Sequence, residues 1–149
     1  MSEFKLYFLL GKDHILDYVN GYDHILFVIA LCTLYQWRDW KRVLILVTAF
    51  TLGHSLTLAL ATLEIITVRV ELIEFLIPVT IFITAVSNIF KNEDNLSGRA
   101  MQVSYFYAAF FGLIHGLGFS NYLKSLLGKD SNIIGQLLAF NIGLEVGQL

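Results

Sequence analysis

Residues 43–62 read VLILVTAFTLGHSLTLALAT, a run of 20 residues with no charged side chain. A hydrocarbon core about 30 Å thick is crossed by roughly 20 residues of helix at about 1.5 Å rise each, so this segment has the length and polarity of a membrane span. Working outward, four further segments have the same character. One covers residues 19–35 and is joined to the first by the tight polar segment Trp37-Arg38-Asp39-Trp40-Lys41-Arg42. Another covers 70–90, the next 103–123, and the last begins near Ile133 and runs to Leu149. The expected fold class is all-α, a polytopic transmembrane helical bundle of about five spans, with residues 1–149 forming a single domain. Residues 4–16 are too short and too charged to span, and within 1–16 they read as an amphipathic segment at the interface or dipping into the bundle. Tyr18, Tyr22, Trp37, Trp40 and Tyr122 fall near expected helix ends, where amphipathic rings favour the headgroup region.

Composition agrees with a lipid environment. Hydrophobic residues make up 56% of the chain and charged residues 15%, against about a quarter charged in soluble domains. Mean hydropathy is +0.68, which leaves too few polar residues to cover a soluble exterior. The lipid bilayer is therefore an expected partner. Net charge is −2 with no polybasic run, which excludes an electrostatic footprint for nucleic acid. Cys32 is the single cysteine; it cannot form an intramolecular disulfide and reads as a packing residue.

Residues 1–16 are interrupted by Lys12, Asp13 and His14, so they do not make a signal peptide. Basic residues are shared equally between the two sides, and only the compact cluster Arg38, Lys41 and Arg42 leans toward the cytoplasm, with an outside amino terminus. The sequence stops at Gln148-Leu149 inside an apolar helical pattern, and a further helix is expected beyond it.

An ionisable group at membrane depth costs several kcal/mol unless paired, hydrated or metal-bound. The chain places Asp23 and His24 at the start of one span, His54 and His115 midway along two others, and Glu145 in the last. Asp17, Asn20 and His24 are spaced i, i+3, i+7 and share a helical face. Thr51, His54 and Ser55 cluster in the same way, as do Asn141, Glu145 and Gln148. Glycines flank these positions: Gly53 beside His54; Gly112, Gly116 and Gly118 around His115; and the ladder Ala139, Gly143, Gly147. Small residues at such spacing let helix backbones approach closely, which would bring the histidine faces together.

Imidazoles with carboxylates suit Zn²⁺, Ni²⁺, Co²⁺ or Cu²⁺, whereas all-oxygen shells suit Mg²⁺ and Ca²⁺. The candidate metal ligands are His24, His54, His115, Asp23 and Glu145, with His14 and Asp17 as outer ligands at an entrance. Glu145 is expected to face His54 or His115. Asn141 and Gln148 read as structural, and Thr80, Thr84, Ser87 and Asn88 as ordinary interhelical hydrogen-bonding groups. Each lone histidine also has a plainer reading as a helix-to-helix fastener, but three of them with Asp23 and Glu145 on separate helices point to metal or proton chemistry.

The motifs resemble those of the HupE/UreJ family of hydrogenase and urease accessory membrane proteins. The matching stretches are residues 14–16 and 21–27 (HIL, GYDHILF), 48–58 (TAFTLGHSLTL), 111–119 (FGLIHGLGF) and 140–149 (FNIGLEVGQL). The resemblance implies a small helical permease for nickel or cobalt in a bacterial inner (cytoplasmic) membrane, its histidine and acidic motifs binding the ion. Two other functions compete: an intramembrane zinc-dependent hydrolase with three histidines on the metal, and a non-catalytic subunit of a membrane complex or homo-oligomer. A polar path across the membrane would favour the permease. Three protein ligands with a persistent water would favour the enzyme.

Overall fold

The computed structural model describes residues 2–19, 21–33, 35–90, 98–126 and 133–149. Among them are six α-helices: α1 (Glu3–Leu16), α2 (Tyr22–Cys32), α3 (Trp40–Thr62), α4 (Val70–Ile89), α5 (Gly98–Leu126) and α6 (Ile133–Gln148). The fold is all-α. Three helical segments are long and apolar enough to cross a membrane: Trp37–Thr62, which includes a 3-10 turn at its start, Val70–Ile89 and Met101–Leu126. Asn20, Leu34 and residues 91–97, the core of the polar loop expected between the third and fourth spans, lie outside the described residues.

The ends of the helices follow from local chemistry. Ser2 caps α1, its hydroxyl oxygen accepting the Lys5 N–H at 3.4 Å. Asp17 leaves the helical region with ψ near 96°, and its carbonyl and carboxylate accept the N–H groups of Gly21 and Val19, both at 2.9 Å. A Cβ at Gly21 would collide with the carbonyl of His14, so only glycine permits this turn. Asp23 in the first turn of α2 accepts the His24 N–H at 2.9 Å and suits the positive end of the helix dipole.

The segment expected as the first span is thus reduced to α2, whose 11 residues reach only about 17 Å. Its continuation is α1. Along α5, Tyr7 of α1 donates to the Leu126 carbonyl and the His14 ring packs on Phe119. Further on, His24 of α2 meets His115, Phe27 meets Phe111, and Tyr35 donates to Met101 Sδ. From residue 7 to residue 35 the partners on α5 fall steadily from 126 to 101. Helices α1 and α2 therefore run in the same direction, end to end, antiparallel to α5, with a break at residues 17–21.

Two glycine-mediated pairs build the rest. A Cβ on Gly112 would meet the backbone of Phe50 and His54, and one on Gly116 the backbone of His54 and the Thr57 hydroxyl, so α3 and α5 run parallel with their backbones in contact. Gly143 and Gly147 do the same for α6, facing Phe8 and Lys12 and then Lys12 and Ile15 on α1. The ladder expected on the last helix is present, and it clasps the helix that carries His14. Rather than lying free, α1 buries Tyr7, Gly11 and Ile15. Helix α4 joins α2 through Asn88, whose amide donates to the Ala30 carbonyl at 2.5 Å and to Thr33 Oγ1 at 3.2 Å.

Candidate metal centre

Close α3–α5 packing and the broken α1–α2 path bring all four histidines of the chain to one level of the bundle. His24, His54 and His115 are buried, with exposures of 4%, 1% and 1%, and His14 is half-buried. Ring centroids are 4.6 Å apart for His14 and His24, 5.8 Å for His24 and His54, 6.2 Å for His14 and His54, and 5.4 Å for His24 and His115. Each imidazole comes from a different helix: α1, α2, α3 and α5.

Two overlapping ligand sets result. One ligating atom each from His14, His24 and His54 lie within 4.8 Å of one another, and the same holds for Asp23, His24 and His115. A tetrahedral ion with bonds of about 2.0–2.1 Å to nitrogen needs donors roughly 3.4 Å apart, so small ring movements would close either set. His24 belongs to both.

The hydrogen bonds that exist fix what is left over. His24 Nδ1 is 3.1 Å from Asp23 Oδ1; its N–H donated there leaves Nε2 with a lone pair. Thr80 Oγ1 donates to the Ile77 carbonyl at 2.7 Å and lies 3.1 Å from His115 Nε2. Its only proton is used on that carbonyl, so Nε2–H of His115 donates to it and Nδ1 keeps the lone pair. Among the described residues, His14 Nε2, His24 Nε2, His115 Nδ1 and both ring nitrogens of His54 are buried without a hydrogen-bond partner. Burying polar nitrogens unpaired is costly, and a divalent ion with imidazole affinity would take up these lone pairs. The residues present fit such an ion.

Other expected ligands sit elsewhere. Asp17 forms the turn that ends α1 and, with Asp13, His14 and Tyr122, lines a cavity of about 430 Å³. Glu145 belongs to neither set: its Oε1 accepts the Thr48 hydroxyl at 2.5 Å, while Gln148 Oε1 accepts that of Thr51 at 2.7 Å. Thr48 is six residues before His54, about 9 Å along α3. Asn20 lies outside the described residues. A second cavity, about 220 Å³, reaches His24 and His115 past Asp23 and Glu74.

Compared with known protein families, residues 1–149 match the family described as HupE / UreJ protein. The chain belongs to the HupE/UreJ family. Neither the curated proteins nor the solved structures compared with it include a match. In this HupE/UreJ protein the motif histidines at positions 14, 24, 54 and 115 are the ones that converge.

Two further features stand beside the histidines. The first is Thr80, whose expected interhelical bond runs from α4 to His115 of α5 and so also orients a candidate ligand. The second is a lining of phenylalanines: Phe27 and Phe50 lie 5.1 and 5.2 Å from His115, and Phe119 lies 3.8 Å from His14. A signal for them was present, because Phe27 follows His24 by three residues, Phe50 precedes His54 by four, and Phe111 and Phe119 flank His115 by four.

Proposed function

We propose that this HupE/UreJ protein is a permease for a divalent transition metal ion of the nickel/cobalt class. The convergence of four imidazoles from four helices, with unpartnered buried ring nitrogens, carries the reading. In it, the ion is substrate, held by His14, His24 and His54 and by Asp23, His24 and His115, with Asp17 at the mouth. Residues 1–149 act as one domain in the bilayer, with α1 and α2 sharing one crossing and α6 lying alongside α1. Broken helices at mid-membrane are how transporters present ligands to an ion, and the break at 17–21 puts His14 and His24 on either side of such a point. Arg38, Lys41 and Arg42 face the cytoplasm in this reading, and the acidic cavity of Asp13 and Asp17 faces the other side.

Purified protein in liposomes provides the test. Ni²⁺ or Co²⁺ should enter faster than into empty vesicles and saturate with concentration, and His24→Ala should abolish the excess. Entry of Ni²⁺, Co²⁺, Zn²⁺ and Cu²⁺ at the empty-vesicle rate would end the permease reading. A zinc-dependent hydrolase is the second reading, favoured by the three-histidine set of His14, His24 and His54, which resembles the ligand count of catalytic zinc. Saturable flux without release of any hydrolysis product separates the two.

A further inference from the structure

On the far side of the histidines from the acidic cavities lies a third space of about 150 Å³, room for several waters at about 30 Å³ each. Tyr35, Thr84, Ser87, Asn88, Ser104 and Tyr107 contribute its polar wall. These come from the segment just after α2, the carboxyl-terminal half of α4 and the amino-terminal half of α5. The acidic cavities instead use Phe119 and Tyr122 of α5 and, in the smaller one, Val70 and Glu74 of α4, beyond His115 in the opposite direction. Tyr35, Thr84 and Asn88 also bond to Met101 Sδ, the Thr80 carbonyl and the Ala30 carbonyl, and with Leu31 and Ile83 the six polar side chains line one chamber.

Between this chamber and the imidazoles stands a single apolar layer. Phe27, Phe50 and Phe111 pack with Leu46 and Ala108 as one buried cluster, Phe27 and Phe50 being 4.7 Å apart and Phe27 and Phe111 6.1 Å. One side of the layer touches His24 and His115 through Phe27 and Phe50. The other side, Leu46, Ala108 and Phe111, is the chamber wall.

We infer that the chamber bounded by Tyr35, Thr84, Ser87, Asn88 and Tyr107 is the second vestibule of the ion path, and that Phe27, Phe50 and Phe111 are the gate separating it from the histidines. The inference rests on the permease reading. A constriction lined only by apolar rings excludes water and hence a hydrated cation, so the ion bound at His24 reaches the chamber only when the layer parts. Phe27 and His24 are one turn apart on α2, a short helix free of α1 at the break, so a shift of α2 moves a ligand and a gate ring together. Ligand release and gate opening are thereby one motion.

Cysteine accessibility in the full chain tests this, with Cys32→Ser as background, in liposomes and with a membrane-impermeant cationic thiol reagent. Ser87→Cys should react only from the face that carries Arg38, and Tyr122→Cys only from the opposite face. Adding Phe111→Ala should make Ser87→Cys react from the Tyr122 face at least 10-fold faster, while Phe111→Leu keeps it sealed. Ser87→Cys inert from both faces, or open from the Tyr122 face with Phe111 intact, would overturn the gate; neither observation depends on how the Phe111 variants fold. Ni²⁺ titration of the wild-type chain separates the causes. Absent binding retires the permease reading and this one with it, whereas binding alongside an inert Ser87→Cys retires the gate alone.

Discussion

Thr80 Oγ1 stands 3.1 Å from His115 Nε2 while giving its own proton to the Ile77 carbonyl. With its proton on that carbonyl the hydroxyl accepts from Nε2–H, which leaves Nδ1 of His115, a buried nitrogen with no hydrogen-bond partner among the described residues, with the lone pair. Thr80→Val preserves shape and removes the acceptor. Partners behind metal-ligating histidines are worth about 10–100-fold in affinity, so Ni²⁺ affinity by isothermal titration should fall by about 10-fold in Thr80→Val and recover in Thr80→Ser. Equal affinity in wild type and Thr80→Val would show that His115 is oriented by packing alone.

His24 is the one side chain common to both ligand sets. His24→Ala should therefore weaken Ni²⁺ binding more than His54→Ala, His115→Ala or His14→Ala, each of which spares one set. The ligating nitrogens must be free of protons to bind, and the buried imidazoles already offer lone pairs, so Ni²⁺ binding should weaken only where pH falls far enough to protonate them. A ranking with His14→Ala as the most severe loss would move the primary site to the α1 mouth.

The helical class was legible in residues 43–62 and 70–90 because apolar length alone decides a span. Residues 4–16 carry Lys5, Lys12 and Asp13, which read as an amphipathic segment at the interface or dipping into the bundle; what the sequence does not show is that Gly11 and Gly143 let α1 seat against α6 and bury its apolar side. The histidines were legible as a set because ionisable groups in spans are rare. Their partners were not: Thr80 sits on a helix with no histidine, and only the packing of α4 on α5 brings it to His115.

Gly112 has no room for a side chain, its Cβ direction being filled by the Phe50 carbonyl, while Gly98 has nothing within 4 Å. Gly112→Ala should push α3 from α5 and cost about 1–3 kcal/mol, the usual range for overpacking. Since those two helices carry His54 and His115, Ni²⁺ affinity should fall in the same variant. Gly98→Ala is the internal control: it removes a poor helix former at the start of α5 and should leave both the thermal midpoint in detergent and the affinity at or above wild type. Equal behaviour of the two variants would mean that the α3–α5 contact tolerates a methyl group.

Glu145 reaches α3 through Thr48 rather than through an imidazole. That contact and the neighbouring pair Gln148 and Thr51 tie α6 to α3, about 9 Å and about 4.5 Å along the helix from His54 respectively. A carbonyl oxygen of glutamine can accept the Thr48 hydroxyl as a carboxylate does, so Glu145→Gln keeps the fastening and removes only the charge. Ni²⁺ affinity of Glu145→Gln should then stay within about twofold of wild type, well short of the 10-fold loss expected for a ligand. Glu145→Leu, which removes the acceptor and leaves the Thr48 hydroxyl unpaired, should lower the thermal midpoint by an amount equivalent to about 1–3 kcal/mol. A 10-fold loss of affinity in Glu145→Gln with an unchanged midpoint would instead put the carboxylate within reach of the ion during transport, through a movement of α6 along α3.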